Sequence, residues 1–188
     1  MRRNVVLLLV SLALITPSIA ASDDPPKSDA VAAVEKASRR AGHEFDVLAK
    51  KIDDVLWSER VGDVAVIDKS RIYGPPRWKE ENPPGVNAGN HLKFYTYLFT
   101  PKGFTGAGKL PLVVLPHGGV HADFTTYYAH IVRELVTQGY IVVAPEYRGS
   151  TCYGRGMYED IDYGGLEVED ALAARDWAVD NHPRVDPK

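Results

Sequence analysis

The stretch PLVVLPHGGVHADF, residues 111–124, decides how this chain is read, because a short apolar run breaks directly into His117-Gly118-Gly119. The run LVVL at 112–115 is apolar without interruption, the mark of a strand covered on both faces. Glycines immediately after such a strand let the backbone come close to a ligand and turn its N–H groups outward. The plainer reading of HGG is a tight turn into the next helix, and the flanking sequence decides between the two.

Downstream, Ile131, Val132, Leu135 and Val136 share one side of a helix expected over residues 127–138, which Gly139 ends. YIVVA at 140–144 is a second buried strand. A twenty-residue loop, EYRGSTCYGRGMYEDIDYGG, leads to a helix over 166–180 with Val168, Ala171, Leu172 and Val179 expected on its inward face. Upstream, LKFYTYLFT at 92–100 reads as a strand, as do residues 64–67 and 71–73, which stop at Gly74-Pro75-Pro76. Residues 77–90 read as a loop, and Thr105-Gly106-Ala107-Gly108 as a turn. Two packing helices precede them: one over 30–40 that Gly42 ends, and one whose Phe45, Leu48, Ile52, Val55 and Leu56 recur at steps of three and four. Strands alternating with helices predict an α/β fold with a mixed, mostly parallel sheet flanked by helices. Function in such sheets sits in loops beyond the carboxyl ends of the strands, here HGGVHADF and EYRGSTCYGRG.

The 188 residues are 45% apolar and 25% charged, as in an ordinary globular domain, and the net charge is −3. With no basic cluster beyond Arg39-Arg40, nucleic acid is excluded as the expected partner. Residues 1–20 carry two arginines, an eleven-residue mostly apolar run and then small residues. That pattern is a secretory leader, too short in its apolar part to span a bilayer, with Ser18 and Ala20 before the cleavage point. The chain is therefore expected to be exported, to the periplasm or outside the cell, with no stable membrane anchor. Cys152 is the single cysteine, so no intramolecular disulfide can support the fold.

Three motifs in order carry a family resemblance: PLVVLPHGG, then GYIVVAPEYRGSTCYG, then EVEDALAARDWAVDNHPRVDP. Together they resemble the catalytic domain of the prolyl oligopeptidase family of serine peptidases, over residues 92–188. The resemblance implies an α/β-hydrolase fold and a Ser, Asp, His triad. It also implies that the Gly119 N–H donates to the oxyanion, with Gly118 and His117 supporting that loop. Val120 stands where many members have proline, and Cys152 where the family usually has glycine. Arg148, Gly149 and Ser150 match its R-G-S turn and Tyr153 its following Y-G. Arg148 is read as a buried structural partner of Asp170, Ser150 as a turn-former and Cys152 as a small buried thiol.

No G-x-S-x-G elbow occurs in the chain, so Ser150 is not read as the nucleophile. His117 and His121 lie four apart, but glycines between them disfavour a helix and the spacing matches no zinc motif, so neither metal nor cofactor is expected. The family's nucleophile strand follows V-D-P, which here is Val185-Asp186-Pro187. The expectation is a leader over 1–20, a linker with helices over 21–62, and over 63–188 the N-terminal part of a hydrolase domain, truncated before the nucleophile strand. The 188 residues alone are then expected to be inactive, and the complete enzyme to cleave a peptide or small ester substrate. Beside the peptidase reading stand a carboxylesterase of the same fold, favoured by the lack of room for a preceding β-propeller, and a non-catalytic binding module. Mass spectrometry of exported material is expected to find a mature N-terminus near Ala21; an intact Met1 there would contradict the leader.

Overall fold

Alternation along the strands sets the layers of the protein, as a computed structural model that describes residues 28–76, 91–106 and 108–187 makes visible. The leader over 1–20, the loop over 77–90 and the Ala107 part of the expected turn lie outside the described residues. The elements in chain order are α1 (Asp29–Val61), β1 (Ala65–Pro76), β2 (His91–Pro101), β3 (Leu112–Val114), α2 (Ala129–Thr137), β4 (Ile141–Pro145), α3 (Arg155–Glu159) and α4 (Leu166–Asn181).

The four strands form one sheet in the order β1-β2-β4-β3. β2 pairs antiparallel with both β1 and β4, while β3 and β4 are parallel, so three strands run one way and β2 runs against them. Because side chains alternate, Tyr97, Phe99, Val142 and Ala144 face one core, which Trp57 and Val61 of α1 and Val132 and Val136 of α2 complete. Phe94, Leu98, Ile141 and Val143 face the other, closed by Ala174 and Ala178 of α4. The sheet is thus flanked by helices on both faces, as the resemblance implied. On the far side of β3 the ladder already continues: the Leu110 N–H donates to the Arg184 carbonyl at 2.7 Å, and the Asp186 N–H to the Leu110 carbonyl at 2.8 Å. Val185, between those two contacts, is fully buried.

Two helical expectations are corrected. The expected pair of N-terminal helices is one 33-residue helix running through Gly42. A glycine in a helix interior costs only about 1 kcal/mol, and the two flanking segments are in phase. The apolar residues Phe45, Leu48, Ile52 and Val55, expected to pack inward, face solvent, while Lys50, Trp57 and Val61 face the body. On α4, Val168 and Leu172 are likewise exposed, and the buried face is Asp170, Ala174 and Ala178. Alanines there let the helix lie close to the sheet, and Gly74 of β1 leaves the space that Asp170 fills.

Candidate active site

The carboxyl end of β4 carries Glu146, Tyr147 and Arg148 into the interior, with Glu146 and Arg148 wholly buried. Buried polar groups must find partners, and these three find them on three different parts of the molecule.

Arg148 turns toward α4 and the end of β1. Its Nε and Nη2 donate to the two Asp170 oxygens at 2.8 and 2.9 Å, and its backbone N–H donates to Oδ2 at 2.9 Å. Nη2 also donates to the Pro75 carbonyl at 2.9 Å, and Nη1 to the Pro76 carbonyl at 3.2 Å. This planar, multiply bonded use of a fully buried arginine is structural. Gly149 follows with φ +93°, and a Cβ there would run into Ile161.

Glu146 turns the other way. Its Oε1 lies 2.8 Å from Lys50 Nζ on α1 and accepts from the Tyr153 hydroxyl at 3.0 Å, while Oε2 accepts the Phe124 N–H at 3.1 Å. Lys50 also reaches Asp123 at 3.3 Å and donates to the Phe124 carbonyl. Burial raises the Glu146 carboxyl to about 7, and Lys50 works against that shift. Burial also opposes the Lys50 charge, but the Glu146 and Asp123 carboxylates outweigh it and lift the ammonium above its ordinary value. Nearby, Asp53 of α1 accepts from Thr126 Oγ1 at 2.6 Å and from its N–H at 3.1 Å. The segment after β3 is therefore held from both α1 and β4.

Tyr147, between them, shapes the HGG loop. Its ring stacks on the His117 ring at 4.2 Å, and its hydroxyl donates to the Gly119 carbonyl at 2.7 Å, with the His117 carbonyl at 3.0 Å. The Gly118 N–H donates to the Tyr128 hydroxyl at 3.0 Å. Gly119 itself has φ +76°, a left-handed backbone that favours glycine. With its carbonyl turned to Tyr147, its N–H has no partner among the described residues. Gly119 borders a cavity of about 430 Å³, lined also by Val120, Ile161, Glu167, Val168 and Ala171.

His117 and Ser150 sit 2.8 Å apart, which invites a nucleophile-and-base reading that the rest of the geometry excludes. Ser150 Oγ donates its one proton to the Tyr147 carbonyl at 2.6 Å, so it accepts from His117, which must carry its proton on Nε2. Burial lowers the His117 imidazole to about 4, so at neutral pH the ring is uncharged and already donates toward the serine. Both residues are buried, and the pair acts as a brace between the two loops. His121 adds another, with Nδ1 2.9 Å from the Gly149 carbonyl and its ring stacked on Tyr158 at 3.7 Å.

All the site residues read from the sequence lie around these two loops, in separate roles. Gly119 lines the cavity, Gly118 and His117 fix its loop, and Ser150 braces it; Tyr153 supports Glu146, while Arg148 and Asp170 tie the turn to α4. The sequence reading missed Lys50, Glu146, Tyr147 and Tyr128. A charged residue directly after the apolar run of β4 was the one visible signal among them.

Cys152, expected to be buried, is only half-buried; it has φ +70°, which explains why glycine suits this position, and its thiol touches Thr151 at 3.6 Å. Burial raises that thiol to about 11, so it is a poor nucleophile at neutral pH. Left-handed backbone costs a residue with a Cβ ~1–2 kcal/mol, more than glycine's extra unfolded-state entropy of ~0.5–1 kcal/mol. Cys152→Gly is thus expected to stabilise the protein by about 0.5–1 kcal/mol in urea denaturation; a destabilised variant would assign the thiol a packing role instead.

Against known proteins, residues 126–188 match the model of the prolyl oligopeptidase family. The acylamino-acid-releasing enzyme of Mus musculus is 31% identical over 128 residues, covering 67% of this chain and 15% of that protein. A probable dipeptidyl-peptidase 5 of Emericella nidulans is 34% identical over 103 residues, covering 53% of this chain and 14% of that protein. The chain therefore spans about one seventh of the length of these curated relatives. Among solved structures, a puromycin-hydrolyzing peptidase of Mycobacterium tuberculosis superposes with TM-score 0.53 at 26% identity, covering 65% of this chain and 18% of that one. An acylaminoacyl peptidase in complex with a Z-Gly-Gly-Phe-chloromethyl ketone superposes with TM-score 0.51 at 20% identity over the same 65% and 18%, a likeness of fold. Motifs and matches agree that the C-terminal third of the chain, residues 126–188, matches the prolyl oligopeptidase family, and that the fold is that of an α/β-hydrolase.

Proposed function

We propose that this chain supplies the oxyanion-loop half of an exported serine peptidase resembling acylaminoacyl and dipeptidyl peptidases, with nucleophile, acid and base contributed by sequence beyond residue 188. The observation that carries the reading is Gly119, which follows β3 with φ +76°, borders the cavity and has an N–H without a partner among the described residues. A backbone N–H fixed in advance stabilises an oxyanion effectively because no reorganisation is needed when the charge develops.

In the complete enzyme a serine Oγ attacks the substrate carbonyl carbon while a histidine takes the serine proton. The carbonyl oxygen becomes the oxyanion and accepts from Gly119. Collapse expels the amine, protonated by the histidine, and leaves an acyl-enzyme that water hydrolyses by the same steps. Within this scheme Tyr147, Tyr128 and His117 hold the loop and touch no reacting atom. The signal-like residues 1–20 support export.

The test is kinetic. Gly119→Pro removes the donor and is expected to lower kcat of the complete enzyme by ~100-fold or more. Proline cannot adopt the φ of +76° found here, so the variant is to be measured beside Tyr147→Phe, which keeps the N–H and frees the carbonyl. That variant is expected to lose ~10-fold in kcat with KM little changed, as misplacement of a group made for the transition state does. A Gly119→Pro enzyme with native circular dichroism and unchanged kcat would remove Gly119 from the mechanism.

A further inference from the structure

We propose that two copies of the chain associate through α1, whose outward face carries a seven-residue apolar repeat, with the two helices antiparallel about a twofold axis.

The helix has two faces with different tasks. Lys50 and Trp57, seven residues apart, point into the body together with Val61. On the opposite face stand Val34, Phe45, Leu48, Ile52 and Val55, exposed by 68%, 71%, 54%, 57% and 70%. With Ala41 they fall at 34, 41, 45, 48, 52 and 55, alternating steps of four and three after the first, the spacing that keeps one seam of a helix against another helix. Isolated surface apolar residues are ordinary, but a stripe unbroken from Ala41 to Val55, about four helical turns of a 33-residue helix, is a contact surface.

The charges beside the stripe select the occupant. When two copies run antiparallel, with the axis between residues 46 and 47, Phe45 lies against the partner's Leu48 and Ile52 against the partner's Ala41. The same register brings Glu44 beside the partner's Lys51, twice by symmetry, and sets Ala49 beside the partner's Gly42, where small side chains let the helices come close. A parallel pair in register would set Glu44 beside the partner's Ala49 and Lys51 beside the partner's Leu56, with no charge matched. Self-complementarity of this kind is what a twofold interface requires.

Other occupants fit less well. α1 holds seven acidic and six basic residues, whereas a helix that lies on an anionic membrane surface is fringed by lysine and arginine. The segments ASDDPPK at 21–27 and RWKEENPPGVNAGN at 77–90 offer only Trp78 and Val86 as large apolar residues to cover the stripe. Extension of the sheet is directed to the β3 edge, where residues 184–186 join it, whereas α1 packs through Trp57 on Tyr97 and Phe99 of β2.

Sedimentation velocity of the exported protein at about 10 µM, enough to populate a dimer of micromolar affinity, is expected to give a dimer. Leu48→Glu with Ile52→Glu is expected to weaken it about 100-fold or more, since two unpaired charges from each copy then enter the seam, with far-ultraviolet circular dichroism unchanged. Lys51→Glu, an exposed change that the fold tolerates, is expected to shift the protein toward monomer, and adding Glu44→Lys to restore the dimer. A monomeric wild type, or a dimer indifferent to Leu48, Ile52 and Lys51, would overturn the proposal. So would a monomer that binds phosphatidylglycerol vesicles through these same residues, which would assign the stripe to a membrane surface.

Discussion

Glu146 enters the interior with none of its surface exposed, and the arrangement around the cavity depends on how that carboxyl is satisfied. An uncompensated charge in such a place costs several kcal/mol. Lys50, the Phe124 N–H and the Tyr153 hydroxyl satisfy it together, and each comes from a different stretch of chain. Satisfying one carboxyl therefore fixes the position of α1, of the segment after β3 and of the loop after β4. Its neighbours extend the constraint: Tyr147 sets the HGG backbone, and Arg148 locks the following turn to Asp170 and the end of β1. Three consecutive residues at one strand end thus relate four elements to one another.

This frame gives the left-handed conformation of Gly119 a physical origin. The loop is held at Gly118 by Tyr128, at the Gly119 carbonyl by Tyr147 and at His117 by Ser150, so its N–H direction is set before any ligand arrives. Val120, in the place where many family members carry proline, loses little by the exchange, because hydrogen bonds from outside the loop supply the restraint. The same frame makes α1 more than a linker: through Lys50, Asp53 and Trp57 it forms part of the wall behind the site. Its buried face serves the loop, which leaves its apolar outer face open for another helix.

Much of the scaffold was legible in the residues. The runs LVVL and YIVVA gave β3 and β4, the aromatic segment at 92–100 gave β2, and HGG and RGS located the two loops, because local propensity and burial agree there. Helix faces were harder to read. Leu48 and Ile52 look like core residues by spacing, and the tighter constraint, a single Trp57 stacked on Phe124 at 5.5 Å, turned the helix the other way. On α4 the alanines, too small to register as a stripe, form the buried face because close approach to the sheet outweighs side-chain bulk. The partners of Glu146 were illegible for a different reason: Lys50 carries no local signal, and the pairing exists only once α1 is folded onto the sheet.

The dependence of the loop on the Glu146 cluster can be tested directly by amide hydrogen exchange in Lys50→Met, beside Arg40→Met on the exposed part of the same helix. The account predicts that loss of Lys50 speeds exchange at Phe124 by ~10-fold or more, through local opening, and that Arg40→Met leaves it unchanged. Undiminished protection of Phe124 in a folded Lys50→Met protein would contradict the claim that the buried carboxyl and its lysine hold the HGG loop in place.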